Sequence, residues 1–369
     1  MTIINVIGGR SQKYGGLERF NIELGRQLAS SGDKLVLLYE SVPLSSEYLN
    51  DIYSHGIELV VKPARGHFIS FSLFLLRYIV KNKPDIIHVH FDPAGYMSLL
   101  IAKVLGVKRK FKTVHSMMGI GNFKLSWETA ILKRLMFWAS DKVFTVSDAI
   151  RKEHSSEFKF SKNMETLYLG VDSNKINDNL LKSKYKIPSG KLIITCVAFH
   201  GHIKGVDILL KSLSILKEKY GYKDFICLQV GGGNDDYLNY LRRLTHDLNL
   251  EDEVIWMGLQ NNVSEIYAVS DICIQPSRSE GISLSLMEAS MQGVPIIASN
   301  VGGIPEVVND GYNGFLVGVE DHNDIADKIY LIANSPELKS ELGLRARDNS
   351  LKKFMLSENV HALIKEYKK

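Results

Sequence analysis

Residues 271–318 read DICIQPSRSEGISLSLMEASMQGVPIIASNVGGIPEVVNDGYNGFLVG, and this stretch decides the fold of the chain. Its two short apolar runs, Ile272–Gln275 and Val294–Ala298, predict buried strands. A glycine turn follows each run, at Gly281 and at Gly302, and a helix is expected after each turn. Strand, turn and helix repeated at this spacing are typical of a parallel α/β fold. Helix N-termini at the carboxyl ends of such strands form crevices that bind phosphate groups.

Two glutamates, Glu280 and Glu288, lie eight residues apart, the first in the turn and the second in the helix. The segment EGISLSLME resembles the E-x7-E signature of the retaining nucleotide-sugar glycosyltransferases of family 4. The following residues, GVPIIASNVGGIPEVVNDGYNGFLV, continue that resemblance. It implies the GT-B fold, an α/β architecture with two Rossmann-like doubly wound domains that face each other across a cleft. Two surface glutamates on a solvated helix are the alternative, but they would not explain the flanking motifs.

The composition is that of a soluble globular enzyme. With 369 residues, 45% hydrophobic and 23% charged, the chain is long enough for two domains with buried cores. The N-terminal run Ile3–Ile7 is predicted to be the first strand, so we expect no signal peptide. The most apolar run, Phe68–Val80, is too short to span a bilayer and is predicted to be a buried helix. Cys196, Cys227 and Cys273 lie in strand-like runs without metal spacing, which favours reduced core cysteines in a cytoplasmic protein.

The net charge of +4 is unevenly distributed. Residues 1–170 contain 23 Lys and Arg against 15 Asp and Glu, and the remainder contains 22 against 26. A basic half indicates an anionic partner, although scattered solubilising lysines explain it equally well. No nucleic-acid-binding motif is found, so the partner considered is an anionic membrane surface with the protein bound peripherally. The candidate residues for that contact are Lys108, Arg109, Lys110, Lys112, Lys124, Lys133 and Arg134, near Trp127 and Trp138.

The resemblance extends over essentially the whole chain and implies its domain organisation. Residues 1–169 are expected to form the acceptor-side Rossmann-like domain, and residues 191–350 the nucleotide-sugar-binding one. Residues 170–190 are polar, contain Pro-Ser-Gly and read as the linker. A C-terminal helix within residues 351–369 is expected to return and pack on the first domain.

The first domain contributes a glycine turn and a histidine. Gly15 and Gly16 precede an amphipathic helix, where glycine lets the backbone approach a ligand closely. They match the family's N-terminal glycine loop, which faces the donor diphosphate. His115 ends a strand in KTVHSMMG, and the resemblance implies that it contacts the donor sugar and the reacting centre. His88 and His90 are two positions apart on their strand, and neither is assigned a role.

The segment AFHGHIKG shows a departure from the family. Lys204 stands at the family's lysine, but Phe199 occupies the position of the family's arginine, and a phenyl ring cannot bind a diphosphate. We therefore consider His200, His202 and Arg278 as replacement phosphate contacts.

The remaining site roles follow from the resemblance. Glu288 is expected to accept hydrogen bonds from the ribose hydroxyls, and Gly281, Ser283 and Leu284 to hold the phosphate. Glu280 is expected beside the donor sugar, and Met257 lies in the strand that lines the nucleobase pocket. Two retaining mechanisms stay open, one in which Glu280 acts as a nucleophile and one in which the acceptor attacks from the front face.

These observations predict a retaining, metal-independent glycosyltransferase with no cofactor other than its nucleotide-sugar donor, most simply a UDP-sugar. The acceptor is expected to be a glycan or a lipid-linked molecule in cell-surface polysaccharide or glycoconjugate synthesis. Asp235 and Asp236 are interpreted as a loop pair and not as metal ligands. The alternatives are a sugar-nucleotide epimerase on a related fold, and a sugar-nucleotide-binding module that has lost catalysis, which Phe199 keeps open.

Overall fold

The chain divides into two compact units, residues 1–170 with 356–369, and residues 171–355. The structure is a computed structural model, and it describes every residue except 10, 12–13, 93, 119–126, 159–162, 175, 177–180 and 186. Each unit contains its own parallel sheet with helices on both faces.

The strands, in chain order, are β1 (Thr2–Ile7), β2 (Lys34–Tyr39), β3 (Glu58–Val61), β4 (Ile86–Val89), β5 (Arg109–Val114), β6 (Lys142–Thr145), β7 (Met164–Thr166), β8 (Leu192–Val197), β9 (Phe225–Val230), β10 (Val254–Gly258), β11 (Ile272–Gln275), β12 (Ile296–Ser299) and β13 (Gly314–Val317). The helices are α1 (Gly16–Ala29), α2 (Ser46–Ser54), α3 (Phe68–Asn82), α4 (Ala94–Val104), α5 (Trp127–Ala139), α6 (Asp148–Phe158), α7 (Leu181–Lys184), α8 (Val206–Tyr220), α9 (Asp235–Asp247), α10 (Val263–Ala268), α11 (Leu284–Gln292), α12 (Ile304–Val307), α13 (His322–Ala333), α14 (Pro336–Lys353) and α15 (Leu356–Lys368). A single 3-10 turn, His202–Lys204, precedes α8.

Both sheets have the doubly wound strand order. Among the described residues, the first sheet runs β3-β2-β1-β4-β5-β6-β7 and the second runs β10-β9-β8-β11-β12-β13, all parallel. In each sheet the order reverses at one point, between β1 and β4 and between β8 and β11. Helices cover both faces of such a sheet, so its central strands are apolar throughout, as in LIITCV of β8. The predicted fold class of two Rossmann-like units is confirmed.

The structure refines the prediction for three segments. Leu181 and Ile187, which fall in the predicted linker 170–190, are buried in the core of the second unit. The C-terminal helix predicted within residues 351–369 begins at Leu356 as α15, which belongs to the first unit and packs on α1, whereas residues 351–353 are the end of α14. Asp235 and Asp236 form the first turn of α9, where the helix dipole favours carboxylates, and not a loop.

The helix predicted to be buried, α3, is buried on only one side. Its inward row is Phe71, Leu75 and Ile79, and most of the remaining side chains are exposed. The run Phe68–Val80 was apolar on both faces, so composition alone could not show that one face meets solvent. Within the described residues, no helix combines the length and the apolar character needed to cross a bilayer. The three cysteines are buried and unpaired in β8, β9 and β11, as predicted.

Candidate functional site

The site in the second unit lies where the strand order of its sheet reverses. Strands β8 and β11 are neighbours there, and their chains turn away in opposite directions, which opens a crevice at the carboxyl end of the sheet. The two turns approach closely at Gly205, which has a φ of 68°. A Cβ there would come within 2.0 Å of the Pro276 carbonyl oxygen, so only glycine fits.

Glu280 is the centre of a hydrogen-bonded cluster in this crevice. Its carboxylate is buried, and its Oε1 accepts hydrogen bonds from Lys204 Nζ, from Gln275 Nε2 at 3.0 Å and from Ser277 Oγ at 3.1 Å. Lys204 reaches it from the 3-10 turn after β8, and the other donors come from the end of β11. A buried carboxylate is stable only when it is paired and hydrogen-bonded, and both conditions are met here.

Gln275 connects Glu280 to the start of α11. Its Oε1 accepts hydrogen bonds from Ser285 Oγ at 2.8 Å and from Ser283 Oγ at 3.1 Å. Ser283 is also the N-cap of α11, because its Oγ accepts a hydrogen bond from the Leu286 N–H. The helix N-terminus, which favours negative charge, is therefore held next to the Lys204–Glu280 pair.

The second glycine turn fixes the backbone of Glu280 from the other side. Gly302 has a φ of 51°, and a Cβ there would come within 1.7 Å of the Glu280 carbonyl oxygen. The N–H of Gly303 donates to that same oxygen at 3.3 Å. The predicted Gly302-Gly303 turn thus positions the first glutamate of the E-x7-E pair.

The other predicted donor-binding residues of the second unit lie around this cluster. Gly281 and Leu284 are half-buried between Glu280 and the first turn of α11. Glu288 lies one turn further along α11, half-buried, and its charge contributes to the raised pKa of Tyr267, whose main cause is burial. Met257 is half-buried in β10, and its carbonyl oxygen accepts a hydrogen bond from Gln260.

Arg278, considered as a phosphate contact, is already engaged. Its guanidinium donates to both Asp207 oxygens, at 2.9 and 2.8 Å, and to Glu320 Oε1. Hydrogen bonding to Asp207 raises the pKa of Arg278. Burial by itself would raise the pKa of Asp207. Hydrogen bonds from Arg278 and Tyr237 outweigh burial and bring that pKa below its ordinary value. Arg278 therefore holds the start of α8 to the turn after β11, and it is not free for a diphosphate.

His200 is not an open phosphate contact either. Its ring is buried edge-on against Trp256, with ring centroids 5.6 Å apart, and neither nitrogen has a hydrogen-bond partner among the residues that the structure describes. Burial, with a smaller contribution from Arg242, lowers the pKa of His200, so the ring is neutral. His202 is exposed on the 3-10 turn, and Phe199 is exposed just before it. Of the three replacements considered, His202 alone keeps an accessible side chain.

In the first unit, the corresponding reversal lies between β1 and β4. A Cβ on Gly8 would come within 2.5 Å of the Phe91 carbonyl oxygen, so the turns after these strands also touch. Gly15 and Gly16 follow, and Gly16 is the first residue of α1. The Gly15 N–H donates to Glu18 at 3.1 Å, which caps this helix.

His115 lies at the end of a ladder of three histidines. Its Nε2 lies 3.0 Å from His90 Nδ1, and His90 stacks on His88 with ring centroids 4.5 Å apart. His88 in turn contacts the Tyr367 hydroxyl on α15 and Thr113 Oγ1. Burial lowers the pKa of His115 and of His88 to about 3. The charge of Lys112 contributes to the shift of His115. The three histidines are therefore neutral. Their contacts run from Tyr367 on α15 through His88 and His90 to His115, and they hold the His115 ring in place.

The cations proposed for membrane contact are only partly available. Lys110 is buried beside Asp141, and Lys112 is buried, where its Nζ donates to the His90 carbonyl oxygen. The spacing of Lys110 and Lys112 in the sequence does not show which side of β5 they occupy, so the sequence alone places both among the candidate membrane contacts. Lys108 is exposed, as are Arg134 and Trp138, whereas Lys133 and Arg109 are half-buried. Lys124 and the side chain of Trp127 lie outside the described residues.

Sequence reasoning missed Gln275, which joins Glu280 to Ser283 and Ser285. Its signal was a polar residue that ends an apolar strand directly before a proline, the position where open α/β sheets carry functional side chains. It also left His90 without a role, although His90 is the residue that contacts His115.

In the part of the chain that the structure describes, no group of three His, Cys, Asp or Glu residues is arranged to hold a metal ion.

Comparisons with protein families bear on the same residues. Residues 177–349 match the family model described as glycosyl transferases group 1, and residues 14–175 match the one described as glycosyltransferase family 4. The two matches together include most of both units, with the Lys204–Glu280 cluster and His115.

Individual relatives cover nearly the whole chain. It is 28% identical to the N-acetyl-alpha-D-glucosaminyl L-malate synthase of Bacillus anthracis over 351 residues, which is 92% of this chain and 90% of the relative. The fold is similar to a glycosyltransferase from Rickettsia africae, with a TM-score of 0.84, 22% identity and coverage of 100% and 97%. It is also similar to Anabaena Alr3699/HepE in complex with UDP, with a TM-score of 0.85, 17% identity and 99% coverage of both chains.

Proposed function

This chain belongs to the family 4 glycosyltransferases, and we propose that it transfers a sugar from a UDP-sugar to a glycan or lipid-linked acceptor with retention of configuration. The observation that carries the proposal is the pairing of Lys204 with the buried Glu280 beside the N-terminus of α11. A cation, a carboxylate and a helix N-terminus at the switch point of a doubly wound sheet are suited to a phosphorylated sugar.

Donor binding requires positive potential for the diphosphate and acceptors for the sugar hydroxyls. We assign the diphosphate to Lys204 and to the N–H groups at the start of α11 near Ser283 and Leu284. We assign the ribose hydroxyls to Glu288, because a carboxylate accepts hydrogen bonds from vicinal hydroxyls. The uridine nucleotide is favoured because a protein of the same fold, Anabaena Alr3699/HepE, is described in complex with UDP. The base would lie beside β10, near Met257.

The chemical step follows from these assignments. The bond between the anomeric carbon and the departing phosphate oxygen breaks, and the acceptor hydroxyl forms the new bond on the same face. The acceptor's proton passes to that phosphate oxygen. Glu280 stabilises positive charge on the sugar, and the Lys204 ammonium compensates the charge of the leaving UDP without a metal ion. His115 keeps the contact with the donor sugar that the family resemblance implies.

The acceptor side follows from the relatives in broader terms. A cell-surface polysaccharide or glycoconjugate is proposed, since one relative in Mycobacterium tuberculosis is a phosphatidylinositol monomannoside mannosyltransferase that depends on GDP-mannose. That relative also makes GDP-mannose the competing donor. A lipid-linked acceptor would bring the protein to a membrane surface.

The experiment is a donor screen in two stages. Thermal shift with UDP-sugars and GDP-sugars identifies the donor, because a ligand that binds only the folded state stabilises it. Release of UDP from that donor then measures turnover for the wild type, Glu280→Gln and Lys204→Gln, with Lys219→Gln as the matched control. Lys219 pairs with Asp327 on the surface of the same unit.

We expect both site variants to lose most of the turnover and the control to retain it. A chain that binds no nucleotide sugar would contradict the proposal. Binding without release of UDP would instead favour the binding module, the alternative that the exposed Phe199 supports. Conversion of the donor into an epimer would favour the epimerase.

A further inference from the structure

Helix α3 has an apolar row on the side that faces away from its unit. Ile69, Leu73, Leu76 and Val80 are spaced four, three and four residues apart, so they lie on one side of the helix. All are exposed, Ile69 by 80% and Val80 by 55%. The inward row of the same helix is already buried within the unit, so this outer row is not needed for the core. A second apolar row on one helix indicates an interaction surface.

The neighbouring helices extend this surface. Helix α4 packs between α3 and α5 on the same unit. Val104 at the end of α4 is 86% exposed, and on α5 Ile131, Leu135 and Trp138 are exposed at helical spacing. We call the outer side chains of α3, Val104 and these three residues of α5 the apolar face.

Cations surround the apolar face, and acidic residues are missing from its main segment. Residues 59–84, which include α3, contain five Lys and Arg and no Asp or Glu. Of these, Arg65, Arg77 and Lys81 are exposed. Lys103 Nζ lies 3.8 Å from the centroid of the Trp138 ring, so a cation and an interfacial aromatic meet at the α5 end.

We propose that the apolar face docks on the surface of a bilayer that carries anionic phospholipid headgroups. This docking deepens the membrane part of the proposed function and rests on that function. Binding to vesicles can nevertheless be measured without the transfer reaction. The side chains of Leu73 and Leu76 enter the headgroup boundary, and Arg77 and Lys81 meet the phosphates. A helix that lies in the interface needs this combination of an apolar row, flanking cations and an indole. A protein partner would need matching carboxylates, and a second copy would bring the same cations into contact.

The test is co-sedimentation of the full chain with vesicles of phosphatidylcholine, with and without phosphatidylglycerol. The variant is Ile69→Gln/Leu73→Gln/Leu76→Gln. Its matched control on the second unit is Leu259→Gln/Leu331→Gln/Leu344→Gln, which removes the same number of exposed aliphatic side chains.

We expect the wild type and the control to bind the anionic vesicles, and the α3 variant to bind at least about tenfold more weakly. Arg77→Gln/Lys81→Gln should lose affinity for anionic vesicles by about tenfold and should depend less on salt than the wild type. Because all these side chains are exposed, melting temperatures should stay unchanged. The charge variant tests the contact independently if the triple variant does not fold.

Three results would overturn the proposal. The first is equal recovery of the wild type with anionic, neutral and no vesicles. The second is an equal loss of binding in the control on the second unit. The third is a wild-type dimer in light scattering that the α3 variant abolishes, since a second copy would then cover the face. Donor hydrolysis without vesicles is measured on the same samples. If hydrolysis is absent while vesicle binding persists, the transfer reaction fails and the docking surface stands.

Discussion

Replacing Lys204 by methionine removes the cation from the buried Glu280 carboxylate and keeps an unbranched side chain only one atom shorter. Loss of one partner from a fully buried ion pair costs about 3–5 kcal/mol. Here the Glu280 side chain is 7% exposed and Lys204 26%, and Gln275 continues to donate to the same oxygen, so we expect about 2 kcal/mol. For a unit of this size, that is a fall in melting temperature of about 4–8 °C.

A double-mutant cycle isolates the pair from the other effects of each substitution. The free energy of unfolding is measured by urea denaturation for Lys204→Met, Glu280→Gln, the double variant and the wild type. The double variant should recover about 1–2 kcal/mol relative to the sum of the single changes, because no unpaired charge remains. In calorimetry, Lys204→Met should also weaken UDP binding by about tenfold, because a charge-assisted hydrogen bond is lost.

The exposed pair Lys219–Asp327 serves as the control cycle. Surface pairs contribute about 0–1 kcal/mol, so its coupling should be small. The reasoning is refuted if the Lys204–Glu280 coupling falls below about 0.5 kcal/mol, the scatter expected for independent sites. It is also refuted if Lys204→Met binds UDP as the wild type does.

Three further predictions concern single residues. Glu288→Ala should weaken UDP binding by about tenfold, whereas Glu280→Gln should leave binding largely intact and suppress turnover. Calorimetry measures the binding and UDP release measures the turnover. Normal turnover of Glu280→Gln would contradict the role of Glu280. Gly302→Ala should lower stability by about 2 kcal/mol or more, because the new Cβ meets the Glu280 carbonyl oxygen, and an unchanged melting temperature would contradict this. Burial lowers the pKa of His154 to about 4, below its unfolded value of about 6.5, so its contribution is present above pH 6.5 and is lost as the pH falls toward 4. Urea denaturation at pH 7.5 and 5 should therefore show a larger loss of stability for the wild type than for His154→Gln, by up to about 1.4 kcal/mol per pH unit below pH 6.5. The buried His88 and His115 contribute equally in both proteins, so equal losses would rule out the contribution of His154.

Local patterns predicted the elements that depend on neighbours in sequence. The run Ile272–Gln275 is a strand with the predicted bounds, because a short apolar run between turn signals can be buried on both faces of a parallel sheet. Side-chain direction was harder to predict. His200 was considered a phosphate contact, yet it turns inward against Trp256. The strand–turn geometry decides that direction, and the identity of the residue does not. Helix α3 shows the same limit, since its two apolar rows are indistinguishable in the sequence.

Local sequence was enough for the parallel α/β class, the glycine turns and the spacing of Glu280 and Glu288, because each depends on residues a few positions apart, and the family resemblance added the two doubly wound units. Only the tertiary structure decided which side chains meet. Lys204 pairs with Glu280 across 76 positions, and Arg278 pairs with Asp207 across 71. Both contacts exist because β8 and β11 are neighbours in the sheet although two other strands separate them along the chain. Backbone hydrogen bonding and crossover handedness set that strand order, and no local spacing encodes it.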